Sequence, residues 1–132
     1  MSVYMCNKNR AAMITDSEQI AHARAVITAH RRSYLSLSPR DFEKTCPEPD
    51  CLIHVTGFDA GDVLEQLQEE YTQLPARKVR GIVAYIGSCK LSMAGLQLIT
   101  RSFPTCEAYQ GGIGFDAPEE GAVEVFLFIQ SV

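Results

Sequence analysis

The stretch GIVAYIGSCKLSMAGLQLITRS, residues 81–102, decides the fold because its second half fits two different structures. The apolar residues 79–86 predict a strand in the interior of a sheet. After the Gly-Ser-Cys-Lys turn at 87–90, alternating apolar residues could form a second strand if a bulge lies near Gly95. The same segment is rich in Leu, Met, Ala and Gln, which favour helix. We therefore predict a helix over residues 91–103, with a strand as the alternative.

The composition is typical of one soluble globular domain, with 132 residues, 46% apolar and 21% charged. The formal charge of −4 supplies no general basic field for nucleic acid or an acidic membrane surface. No apolar run approaches the roughly twenty residues of a spanning helix, and the N-terminus lacks an export-signal pattern. Five cysteines, an odd number, argue against a disulfide framework. We predict a cytoplasmic protein that binds neither nucleic acid nor a membrane.

The most regular part of the chain lies between residues 51 and 87. Residues 51–56 form a short apolar run, and Asp59 can cap a helix whose apolar positions lie on one face. The apolar run at 79–86 follows that helix. This order predicts a βαβ unit over residues 51–87, in which two parallel strands are joined by a right-handed crossover.

The first half of the chain carries weaker patterns. Thr15 and Glu18 form a capping-box pattern, which predicts a helix from there to about Tyr34. Residues 2–6 could form a short strand. Residues 36–50 contain three prolines and several small polar residues, so we predict a loop inside the domain with one short helical turn.

The end of the chain has two strand-like segments separated by turn residues. Residues 107–115 and 123–131 are predicted to form a C-terminal antiparallel hairpin. The last strand is apolar at nearly every position, so we expect both of its faces to be covered. The predicted fold is a single α/β domain over residues 1–132, with a mixed, mainly parallel sheet and flanking helices.

Cys89 is the candidate catalytic residue. If Ser88 caps the predicted helix and Cys89 is its first residue, the unpaired amides and dipole of the helix would lower the pKa of the Cys89 thiol and activate it, and Lys90 would add to that effect. The alternative is a buried cysteine at a tight turn. The four-residue turn lacks the glycines of a standard phosphate-binding loop.

Three potential metal ligands lie close together in sequence, at Cys46, Cys51 and His54. If residues 51–56 form a strand, Cys51 and His54 point to opposite faces, because side chains alternate along a strand. A structural zinc site also needs a fourth ligand. We therefore predict no metal site here.

Short motifs between residues 80 and 119 resemble the C-terminal part of chorismate-utilising enzymes such as anthranilate and aminodeoxychorismate synthases. They include an I-T-R motif ending at Arg101 and a G-G-I motif beginning at Gly111 and Gly112. The resemblance implies that Arg101 grips a carboxylate, that both glycines line the substrate, and that following acidic residues serve magnesium. It also requires residues 91–99 to be a strand.

The residues favour a small cytosolic binding or regulatory module without an enzymatic signature or a cofactor. The apolar last strand could be buried by pairing with another chain at an interface, so we predict a homo-oligomer. The alternative is a small enzyme or ligand-binding protein whose pocket lies at the strand ends, where α/β sheets place their ligands. Its polar groups would be Asp59, Ser88, Cys89, Lys90 and Arg101, and these could hold a small anionic ligand.

Overall fold

A six-stranded sheet with helices on both faces organises the chain. The computed structural model describes residues 10–29, 33–74, 78–88, 92–114 and 122–132. Within these ranges the elements are, in chain order, β1 (Arg10–Ile14), α1 (Ser17–Thr28), β2 (Ser33–Leu35), α2 (Pro39–Thr45), β3 (Cys51–Gly57), α3 (Ala60–Tyr71), β4 (Val79–Gly87), α4 (Met93–Arg101), β5 (Cys106–Gly114) and β6 (Val123–Ser131).

The sheet is mixed and mostly antiparallel, with the strand order β1-β3-β6-β4-β5-β2. The only parallel neighbours among the described strands are β4 and β5, which are joined by α4. The predicted α/β class is confirmed, but the prediction of a mainly parallel sheet is wrong. The physical reason is the last strand, which enters the middle of the sheet antiparallel to both of its neighbours.

The βαβ unit predicted over residues 51–87 forms as a split unit. Strands β3 and β4 run in the same direction, since both are antiparallel to β6, but β6 lies between them. The C-terminal hairpin predicted from residues 107–115 and 123–131 is wrong, because β4 separates β5 from β6. A strand that is apolar on both faces is buried best inside a sheet, and β6 takes that position.

The helix predicted over residues 91–103 is confirmed as α4. Its N-cap is Ser92, whose hydroxyl accepts the backbone N–H of Gly95 at 3.0 Å, so the prediction that Ser88 caps it is wrong. The strand that the chorismate enzymes would require over residues 91–99 is also wrong. The segment forms a helix and not a strand because the residues that face the sheet recur at helical spacing. Three of them are Gly95, Leu96 and Ile99.

Helix α1 differs from its predicted bounds at both ends. Asp16 is the N-cap in place of Thr15, because its carboxylate accepts the backbone N–H groups of Glu18 and Gln19 at 2.9 and 3.0 Å. The helix ends at Thr28, and Tyr34 belongs to β2. The helical turn predicted inside residues 36–50 is α2, and the strand suggested at residues 2–6 lies outside the described residues.

Two hydrophobic clusters cover the two faces of the sheet. Alternation along β3 divides them, since Ile53 belongs to one cluster and Leu52 to the other. Helices α3 and α4 pack on the first face through Val63, Leu67 and Ile99. On the second face, α1 and α2 contribute three buried side chains, Ile20, Ile27 and Phe42. Within the described ranges, no helix has the length and apolarity that crossing a membrane would require.

Gly81 allows α2 to lie directly against β4. A Cβ atom at this position would overlap the backbone carbonyl oxygen of Thr45, the last residue of α2. Backbone cannot move aside as a flexible side chain can, so the absence of a side chain at Gly81 sets how closely helix and strand approach.

We expect Gly81→Ala to lower the free energy of unfolding by about 1–3 kcal/mol, the usual cost of overpacking a well-packed core. Urea denaturation followed by circular dichroism would measure it. Gly61→Ala is the matched control, because the new methyl group would lie 3.5 Å from the Asp59 carboxylate, an ordinary contact. That variant should gain up to about 1 kcal/mol from its lower unfolded-state entropy. Equal stability of the two variants would contradict the close approach.

Candidate functional site

A cleft of about 480 Å³ opens where β3 and β4 end. Its wall includes residues that follow these two strands, Phe58, Asp59 and Ser88, and residues at the start of the next helix, α4. Val123, the first residue of β6, forms part of the floor between them. The alternative hypothesis of a small enzyme or ligand-binding protein puts its pocket at strand ends, and the cleft is at such a position.

The N-termini of two helices flank the cleft. Asp59 caps α3, and its carboxylate accepts the backbone N–H of Asp62 at 2.8 Å. The Asp62 carboxylate in turn accepts the backbone N–H of Phe58 at 3.0 Å. Carboxylates of the chain therefore occupy the first amides of α3, as expected at the positive end of a helix dipole. Helix α4 is capped by the neutral hydroxyl of Ser92 and has no acidic residue in its first turn.

The rest of the wall is mostly apolar. Phe58 is 70% exposed and stands at the rim, while Leu98 of α4 is half-exposed on the opposite side. Ala60 and Gly95 are small residues at the beginnings of the two helices, and they leave the space open. The described wall therefore combines apolar surface with one carboxylate, that of Asp59, and two serine hydroxyls.

The structure divides the predicted site residues among different places. Asp59 and Ser88 share the cleft. Arg101 is exposed in the last turn of α4 and does not line the cleft, although Leu98, one helical turn before it, does. Cys89 and Lys90 lie outside the described residues, so the activated-thiol prediction is not tested.

Gly111 and Gly112 line a second cleft of about 310 Å³, beside β5 and α4. A Cβ on Gly111 would lie 2.6 Å from the Tyr109 hydroxyl oxygen, and one on Gly112 would lie 2.6 Å from the Leu37 side chain. The two glycines therefore allow neighbouring side chains to pack onto the strand, and they are not brought together with Asp59 or Arg101.

The three possible metal ligands lie in different surroundings. Cys51 and Cys46 belong to the core clusters on opposite faces of the sheet. His54 stacks on Phe126, which packs against the second cluster, so Cys51 and His54 point to opposite faces as predicted. No group of three His, Cys, Asp or Glu residues that could hold a metal ion occurs within the described ranges.

The buried thiols are held in their neutral form. Burial raises the pKa of Cys46 from its ordinary value of 9.0 to about 12 and that of Cys51 to about 11, and the nearby carboxylate of Asp50 adds to both shifts. Burial also raises the pKa of Cys106. Because the thiolate is the nucleophile, these three residues are poor candidates for covalent chemistry.

His54 and Glu124 form a pair that the sequence did not predict. The imidazole Nε2 lies 2.7 Å from the Glu124 carboxylate, although 70 positions separate the two residues. The imidazole also stacks on Phe126, with ring centroids 4.2 Å apart and planes within 12°. The side chains are 32% and 19% exposed. A carboxylate that orients an imidazole is the arrangement of a general base, so this pair is a second candidate for chemistry.

The sequence contains a feature that indicates a paired polar group at each of these positions, but it does not identify the partner. Each residue interrupts a run of apolar residues within its strand, His54 in CLIHVTG and Glu124 in VEVFLFIQS. Such interruptions point to a partner, but the partner's identity depends on which strands are neighbours. Only the antiparallel register of β3 and β6 places the two side chains together.

We expect iodoacetamide to leave Cys46 and Cys51 unlabelled in the native protein, because both thiols are buried and protonated at neutral pH. Site-resolved mass spectrometry before and after urea unfolding would measure this. Labelling of Cys46 in the native protein at the unfolded rate would contradict it, and the same spectra would report whether Cys89 reacts.

A pH series supplies a second readout of the same thiols. The folded-state pKa values of Cys46 and Cys51 lie above 9.0, so the native state holds these protons more tightly than the unfolded state. Their contribution to stability is complete below about pH 9 and falls as pH rises toward 11–12.

The interaction of His54 with Glu124 should appear as coupling in a double-mutant cycle. Glu124→Met leaves the imidazole without its partner and should cost about 1–3 kcal/mol, whereas Glu124→Gln keeps a hydrogen bond and should cost less. His54→Phe preserves the stack on Phe126. Urea denaturation of the single and double variants should give a coupling of at least about 0.5 kcal/mol, and strict additivity would show that the pair contributes nothing.

No family model matches the chain, and a search of the curated proteins finds no match either. The resemblance to chorismate-utilising enzymes therefore rests on its short motifs alone, and α4 stands where that family would require a strand.

Proposed function

We propose that the protein is a binding module for a small molecule held in the cleft between the N-termini of α3 and α4. The cleft at the carboxyl ends of β3 and β4 is the observation that carries this proposal. Its volume of about 480 Å³ falls within the range of small-molecule sites. Open α/β sheets bind their ligands in crevices outside the carboxyl ends of their strands, which is where this cleft lies.

The wall supports a ligand with an apolar body and a positively charged or hydrogen-bond-donating group. Phe58, Leu98 and Val123 offer apolar surface to the body. The Asp59 carboxylate is exposed on the same wall and would attract an amine. The sequence also allows a small anionic ligand, but Arg101 does not line the cleft and the described wall carries no cation. We therefore favour a small apolar amine.

Three further expectations stay proposals. A thiol-dependent reaction at Cys89 remains open, because that residue lies outside the described part of the chain. A cytoplasmic location is supported by Cys46, Cys51 and Cys106, which are free thiols as expected in a reducing compartment. Homo-oligomerisation no longer follows from an exposed last strand, since β3 and β4 enclose β6 on both sides.

The proposal predicts selective binding of amines. In ¹⁵N-detected NMR titrations, benzylamine should shift the amide signals of Gly61 and Gly95 at lower concentration than benzyl alcohol, and benzoate should bind least. Asp59→Asn should remove the preference for the amine because it removes the charge. Asparagine caps a helix about as well as aspartate, so α3 should remain folded.

Asp16→Asn is the matched control. Asp16 caps α1 in the same way that Asp59 caps α3, but it does not line the cleft. This variant should keep the preference for benzylamine. The proposal fails if none of the three compounds shifts the cleft signals, or if Asp59→Asn and Asp16→Asn bind benzylamine equally well.

A further inference from the structure

We infer that two copies of the chain associate edge to edge through β5, with residues 106–110 of each copy paired antiparallel around Ala108. The surface is distinct from the proposed ligand cleft. It lies at the β2 end of the sheet, where β5 is only partly covered.

The outer edge of β5 is open along most of its length in the described part of the chain. Strand β5 has nine residues, but β2 has three and pairs only with Ile113 and Gly114. No described strand pairs with the outer side of residues 106–110. An edge of this kind presents the N–H and C=O groups of every second residue and is a template for another strand.

Apolar side chains flank this open edge. Leu35 is 49% and Tyr109 is 47% exposed. Both line the second cleft of about 310 Å³, which runs between β5 and α4 and also includes Leu96. A strand added at this edge would cover the exposed apolar surface while its backbone completes the ladder, so both contributions favour association.

The length of the open edge sets the register. The backbone carbonyl of Leu35 and the side chain of Leu37 lie close beside Gly112, so an added strand has room only before that residue. The available edge is therefore residues 106–111, and a pairing over residues 106–110 leaves Gly111 between the added strand and Leu37. Over residues 106–110, two identical edges that pair antiparallel and symmetrically are centred on Ala108.

The charge pattern favours a second copy as the occupant. In the register centred on Ala108, Glu107 lies opposite the Tyr109 of the other copy, and Cys106 lies opposite Gln110. Glu107 is the only charged residue on the edge, so no like charges are opposed. A register centred on Glu107 would place two carboxylates directly opposite each other, which is unfavourable. In the register centred on Ala108, the edge can therefore pair with itself without opposing like charges.

The test is a set of charge variants measured by light scattering from micromolar to millimolar concentration. Wild-type protein should show a concentration-dependent rise from monomer to dimer mass. Tyr109→Glu places a carboxylate opposite Glu107 of the other copy and should raise the dimer dissociation constant by about tenfold or more. Adding Glu107→Lys to Tyr109→Glu makes opposite charges face each other and should restore dimerisation.

Ala12→Glu is the matched control, since it adds the same charge to β1, the other edge of the sheet. It should leave the dimer unchanged. A protein that stays monomeric throughout, a control that weakens association as much as Tyr109→Glu, or a failed rescue in a folded double variant would each overturn the inference.

Cross-linking tests the register even if Tyr109→Glu does not fold. Ala108→Cys should give a disulfide-linked dimer on mild oxidation, because the two copies of residue 108 face each other. Glu107→Cys should not, because residue 107 faces residue 109. The reverse pattern would overturn the register, and the absence of cross-linking in both variants would overturn the interface.

Discussion

The insertion of β6 between β3 and β4 is the constraint on which the rest of the structure depends. Strand β6 pairs with β3 over residues 123–129 and with β4 over residues 124–131, and its side chains enter the cores on both faces. Burial of each large apolar side chain contributes about 1.5–3 kcal/mol. A strand with Leu127 on one face and Phe128 on the other would lose this contribution at a sheet edge. The sheet is therefore completed by the last element of the chain.

Both candidate sites follow from that insertion. By separating β3 from β4, β6 sets the spacing between the N-termini of α3 and α4, and its first residue, Val123, lies in the floor of the ligand cleft. The same strand brings Glu124 to His54 from the far end of the chain. The cleft offers a concave, mostly apolar wall with one carboxylate, while the His54–Glu124 pair offers an oriented imidazole. The two lie at the same end of the sheet.

Local signals predicted the elements much better than their arrangement. The cap at Asp59, the strand over residues 79–86 and the helical spacing after it depend on neighbours within a few residues, so they could be predicted from the sequence. The hairpin prediction failed because adjacency in sequence was taken as adjacency in space. The cap at Asp16 was missed because Thr15 offers the same chemistry one residue earlier. For the candidate site, the sequence predicted that Asp59 and Ser88 lie at neighbouring strand ends, and both line the cleft. It did not predict that Arg101 lies outside the cleft wall.

By itself, the sequence determined the α/β class and the strand and helix of the 81–102 stretch, because propensity, capping and periodicity are short-range properties. The tertiary structure alone decided that the sheet is mostly antiparallel, that His54 meets Glu124, and that β5 keeps an open edge. Each of these depends on which strands are neighbours. That choice is made by the burial of both faces of β6. The sequence indicates that both faces are covered, but which strands lie beside β6 is a long-range property that local sequence does not contain.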